Sequence, residues 1–169
     1  SLIKKLIEWH LPKRRPMDQM DIDFDYPQEE EFALGNLSNQ SCYHWWTFPQ
    51  KMIKYFEKYV LLKELNTCEY QMFKQQYLQL IKKITLLNKG QQLLLKNPAN
   101  TGRIPLLLEL FPKAKFIYLH RNPNDVYWST VKLHTKLLEC FSFQHFDVKK
   151  IEQNTLQFYQ QLLQKYEKD

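Results

Sequence analysis

Residues 93–130 read LLLKNPANTGRIPLLLELFPKAKFIYLHRNPNDVYWST. Two short apolar runs, 93–95 and 116–119, have the composition of strands. Each leads to a basic residue at its end, Lys96 and Arg121. A helix pattern follows each run, at Ile104–Leu110 and at 123–138. Strand, short helical crossover and strand together predict parallel pairing, since antiparallel neighbours are joined by tight hairpins. Two strands alone do not make a stable buried parallel sheet. More are therefore expected, either in 21–26 and 42–48 or in chain outside these 169 residues. The expected fold class is α/β and helix-rich.

Upstream, residues 69–88 place Phe73, Tyr77, Leu80, Ile81, Ile84 and Leu87 on one helical face, and Gly90 ends the run. Residues 51–65 form a second amphipathic pattern. Pro27 precedes a short helix whose first turn holds the acids Glu29, Glu30 and Glu31, with Gly35 as its stop. Residues 1–9 set Leu2, Ile3, Leu6 and Ile7 on one face, but the proline-bounded stretch that follows cannot continue that helix. Downstream, Val148–Lys168 aligns Ile151, Thr155, Phe158, Leu162 and Tyr166.

Composition narrows the function classes. An apolar fraction of 44% and an aromatic fraction of 15% over 169 residues describe one folded domain. Only 3 glycines argue against a turn-rich barrel or sandwich. The net charge of +6 favours anionic ligands. Its lysines are scattered over helix faces and no nucleic-acid motif accompanies them, so no nucleic-acid partner is expected. The 3 cysteines lack metal-ligand or CxxC spacing and read as reduced thiols, which points to a cytoplasmic location. No apolar run approaches the roughly 20 residues of a membrane span, and no signal peptide is visible.

The sharpest chemistry lies at FIYLHRNPNDVYWS, residues 116–129. Asn122 suits an N-cap and Pro123 the first helical position. An anion there meets free N–H groups and the Arg121 guanidinium, and Ser129, eight residues on, adds a hydroxyl. The alternative is a plain capped helix with Arg121 paired to Asp125. Lys96 ends the first run at the same level. It either neutralises charge on a ligand or leaves a buried segment for solvent.

The 116–129 stretch resembles the 3′-phosphate-binding motif of sulfotransferases that use 3′-phosphoadenosine 5′-phosphosulfate (PAPS). That motif is an Arg-Asn-Pro turn with an acid two positions after the proline and a serine eight after the arginine. KNPANTGRIPLLLELFPKAKF resembles the preceding segment of bacterial sulfotransferase-family proteins and, more distantly, of the tyrosylprotein sulfotransferases. RRPMDQMDIDFDYPQEEEFALGNLSNQSCYHWWTFP is similar to the same bacterial group, so the resemblance covers most of 13–135.

It implies a three-layer P-loop-type fold with a parallel sheet, and residues 1–169 as one partial sulfotransferase domain. It also implies metal-free transfer of a sulfuryl group from PAPS to a hydroxyl or amine. The acceptor would be a small molecule, a glycan or a lipid. Arg121 and Ser129 would hold the 3′-phosphate, Lys96 would neutralise developing charge, and Glu29 would be the base, with His44 as rival. Tyr43, Trp45, Trp46 and Phe48 either line an acceptor pocket or belong to the core.

One departure stands out. The family's Lys/Arg-Ser-Gly-Thr-Thr loop for the 5′-phosphosulfate, with its strand, is absent from these residues. The expectation is an internal piece, poorly active or inactive alone. Two other readings remain at this stage: a P-loop kinase relative, and a helical interaction module without catalysis.

Overall fold

The computed structural model describes Arg14, Asp21, Asp23 and residues 26–169. The expected helix at 1–9 lies outside the described residues. Helix α1, Glu30–Leu37, leaves Glu29 outside its first turn as the N-cap residue and does not stop at Gly35. It ends on Ser38, whose N–H and hydroxyl both donate to the Leu34 carbonyl at 3.0 and 3.2 Å. Gly35 instead lies under Ser41, whose Oγ would stand 3.3 Å from an added Cβ.

A 3₁₀ turn occupies Cys42–Trp46, where a strand was a candidate. The reason is local. The Ser41 hydroxyl accepts from the Tyr43 N–H at 3.2 Å, and the Cys42 N–H is taken by the Glu31 carboxylate at 3.0 Å, so neither donor is free for a ladder.

A second 3₁₀ turn, Pro49–Lys51, leads into α2, Met52–Tyr59. The chain then turns through Leu62 and Glu64 at φ 55° and 57°, left-handed backbone that ends α2 earlier than the amphipathic pattern suggested. Helix α3, Thr67–Leu87, opens on a reciprocal cap: Asn66 accepts from the Glu69 N–H at 2.9 Å, and Glu69 accepts from the Asn66 N–H at 3.1 Å. It buries Phe73, Tyr77, Leu80 and Ile81. Next come a 3₁₀ turn at Pro98–Gly102, then α4, Ile104–Leu110, α5, Pro123–Phe141, and α6, Val148–Lys168.

The centre is aromatic. The Phe158 ring of α6 stacks on Phe56 of α2 at 4.0 Å and on Trp45 at 5.1 Å. Helices α5 and α6 pack on each other, and the Cys42–Trp46 turn packs against α1, α2 and α5. His134 of α5 is buried beside Trp45 at 5.7 Å and hydrogen-bonds Thr155 of α6 at 3.4 Å. Burial pushes its imidazole down from the usual 6.5 to about 4.

The expected three-layer α/β architecture with a parallel sheet is not what these residues form. The described residues contain helices, 3₁₀ turns and one isolated antiparallel bridge, Arg14 with Asp21. The segments 91–97 and 114–122 carry no helix or ladder. Side chains still alternate along them as in a strand: Leu93 and Leu95 pack on the core while Leu94 is 88% exposed, and Ile117 is more exposed than Phe116 or Tyr118. A strand becomes a sheet only when a neighbour takes its N–H and C=O groups, and no described residue does so. The strands expected at 93–95 and 116–119, and the parallel sheet built on them, are both absent among the described residues.

Candidate active site

The acidic triplet before and within α1 divides into two roles. Glu31 is fully buried against an equally buried Arg103, Nη1 to Oε2 at 2.6 Å and Nη2 to Oε1 at 3.1 Å. Arg103 also donates through Nε to the Tyr59 carbonyl at 2.7 Å and lies 5.1 Å from the Phe73 ring centroid. Burial pushes the Glu31 carboxyl up, but the guanidinium and the Ser41 and Cys42 donors outweigh it and hold it down at about 2.

Glu30 is buried too. Its Oε1 accepts from Tyr77 at 2.8 Å, Asn100 at 2.6 Å and Asn97 at 3.3 Å. Asn97 reaches Glu31 Oε2 as well, at 3.2 Å. Together these bonds fasten the start of α1 to the 96–103 loop. That loop seats tightly, since a Cβ on Gly102 would stand 2.7 Å from the Val60 carbonyl oxygen. Asn100 and Arg103 therefore serve this internal junction.

The junction sets Glu29 beside Lys96. Glu29 is the N-cap residue of α1, yet its side chain makes no capping bond. Oε1 pairs with the Lys96 ammonium and Oε2 accepts from the Tyr43 hydroxyl. Lys96 is 74% exposed and Glu29 16%. Tyr43 stacks on Trp46 at 4.1 Å and meets Phe32 edge-on at 5.0 Å. Burial, then the Glu29 bond, raises its phenol far above the ordinary value, so the hydroxyl remains a donor. Two of the expected site residues thus meet, across 67 positions of sequence. His44, the rival base, has its Nε2 engaged by the Ser38 carbonyl at 3.0 Å. Trp45 is core, whereas Tyr43 bonds Glu29 and Trp46 stacks on Tyr43.

Of the Arg121 turn, the cap and helix start form as expected, whereas the strand expected to lead into it does not. Asn122 caps α5, its Oδ1 accepting from the Asn124 N–H at 2.9 Å, with Pro123 in the first turn. Arg121 and Asp125 are exposed and form no ion pair with each other. Among the described residues no ion pair engages Arg121, which leaves the guanidinium open to an anion. Ser129 is exposed and its hydroxyl donates to the Val126 carbonyl at 3.0 Å, leaving its lone pairs free. No described hydrogen bond joins Arg121 or Ser129 to Glu29 or Lys96.

Among the described residues, no group of three or more His, Cys, Asp or Glu could hold a metal ion, and no helix is long and apolar enough to cross a membrane.

Comparison with known proteins follows the same lines. The Sulfotransferase family profile matches residues 9–169. The omega-hydroxy-beta-dihydromenaquinone-9 sulfotransferases of Mycobacterium bovis and Mycobacterium tuberculosis are each 34% identical over 146 residues, 82% of this chain. The match spans 37% of the length of those curated relatives. No solved structure matches the chain. With the match running through the α1 acids, the 96–103 loop and the Arg121 turn alike, the chain belongs to the sulfotransferase family.

Proposed function

We propose that this chain carries the base and the 3′-phosphate grip for transfer of a sulfuryl group from PAPS to a hydroxyl or amine of a small, lipid-like acceptor. The pairing of Glu29 with Lys96, which α1 and the 96–103 loop hold together, is the observation that carries the reading. The family membership supports sulfuryl transfer, and the relatives' dihydromenaquinone acceptor supports an apolar substrate bearing a terminal hydroxyl.

In the proposed reaction the acceptor oxygen forms a bond to sulfur as the bond from sulfur to the bridging phosphate oxygen breaks. Glu29 takes the acceptor proton, and charge on the leaving oxygen falls beside Lys96. Arg121 and the Ser129 hydroxyl fit a 3′-phosphate because neither is committed to a carboxylate of the described residues. The products are the sulfated acceptor and adenosine 3′,5′-bisphosphate.

The test uses the complete gene product with PAPS and a terminally hydroxylated prenyl quinone. Glu29→Gln is expected to lower kcat about 10²- to 10⁴-fold. A kcat within about tenfold of the parent removes Glu29 from the role.

A further inference from the structure

We infer that Tyr43 is a positioning residue that keeps Glu29 in place once Lys96 is drawn away by a ligand. The inference rests on the reading of Glu29 as base and deepens it. Each Glu29 oxygen has a different holder, Lys96 on Oε1 and Tyr43 on Oε2. The two holders are unequal. Lys96 is a largely solvated ammonium on a flexible stem, and exposed ion pairs of this kind are weak and easily exchanged. Tyr43 is half-buried, stacked on Trp46 and edge-on to Phe32, so its ring has little freedom.

Glu29 receives no help from its own helix, because its side chain makes no capping bond. An anionic donor that attracts Lys96 therefore frees Oε1 for the acceptor proton while Oε2 stays tethered. The ion pair is a resting arrangement, and the tyrosine tether is the one that persists during turnover. The phenol is suited to this. Its own proton is held so firmly that it does not compete as an acid at any working pH. No covalent change occurs at Tyr43; it donates one hydrogen bond throughout.

The experiment compares Tyr43→Phe, Glu29→Gln and the double change in the complete gene product, with the same donor and acceptor. Tyr43→Phe keeps the ring stack and removes only the hydroxyl. Expected are a fall in kcat of about tenfold or more, an unchanged acceptor KM, and unchanged affinity for adenosine 3′,5′-bisphosphate. In the Glu29→Gln background the same change is expected to alter kcat by less than about twofold, since the group it positions is already gone. A purely structural role would lower the melting temperature and move KM and nucleotide affinity together. Independent, multiplicative losses in the double variant, or a kcat untouched by Tyr43→Phe, overturn the inference while the base assignment stands. A kcat of Glu29→Gln within about tenfold of the parent overturns the base assignment and the inference with it, as does an absence of turnover in the parent protein.

Discussion

The Glu31–Arg103 junction and the Arg121 turn both present an arginine, and the two arginines do opposite things. Arg103 is fully buried, doubly bonded to a carboxylate and further held by a carbonyl. Arg121 stands exposed at the start of a helix with no ion pair among the described residues. A buried guanidinium must have its charge and donors satisfied internally, because water cannot do it. An exposed one can stay open. The difference separates a fastener from a grip: one arginine is committed to the fold and the other is available for an anion.

The comparison breaks first at the junction. Arg103→Ala leaves Glu31 buried without its partner and is expected to cost about 3–5 kcal/mol in urea unfolding. Restoring an apolar pair with Arg103→Met and Glu31→Leu should recover most of that loss. The mirror experiment is Arg121→Ala, for which calorimetric titration should show adenosine 3′,5′-bisphosphate affinity down about 10- to 100-fold with an unchanged melting temperature. Equal affinity in the two proteins would remove Arg121 from the phosphate site.

Acid should distinguish the interior from the surface turn as well. In the fold His134 stays neutral to about 4, whereas in the unfolded chain it takes a proton near 6.5. Its contribution is complete above 6.5 and is lost as pH falls to about 4. The Glu31 carboxylate keeps its charge to about 2 in the fold against 4.5 outside it, so its contribution is complete above 4.5 and lost as pH falls through about 2. Unfolding midpoints followed on acidification should drop over both windows, the first by about 1–3 kcal/mol. His134→Gln should flatten the first alone. The smallest effect is expected for Ser129→Ala. Stability should hold within about 0.5 kcal/mol while nucleotide affinity falls about threefold to tenfold.

Much of this was legible in the sequence where the cause was local. The Asn122-Pro123 start of α5 was readable from neighbouring residues, as were the spans of α4 and α6 and the apolar face of α3 around Phe73 and Tyr77. The sheet was not. The apolar run at 116–119 has the composition of a strand but carries no information about which segment, if any, would pair with it. The split of the acidic triplet was equally hidden, because Glu29, Glu30 and Glu31 look alike until Arg103, Asn97 and Tyr77 arrive from elsewhere. The available signal for Arg103 was a lone arginine set between Gly102 and the apolar run of α4, a position where solvent exposure is hard to arrange. Tyr43 read only as one aromatic residue among several. Its partner Glu29 lies 14 positions away, beyond the reach of any helical or strand spacing.

Those separations bear on how the molecule assembles. Lys96 meets Glu29 across 67 residues and Arg103 meets Glu31 across 72. Closing loops of that length costs entropy before any contact repays it, whereas helices such as α3 form from neighbours. Helix content and the Glu29–Lys96 pair are therefore different reporters. A chain with all its helices but without its long-range closure keeps its circular dichroism and loses the pair.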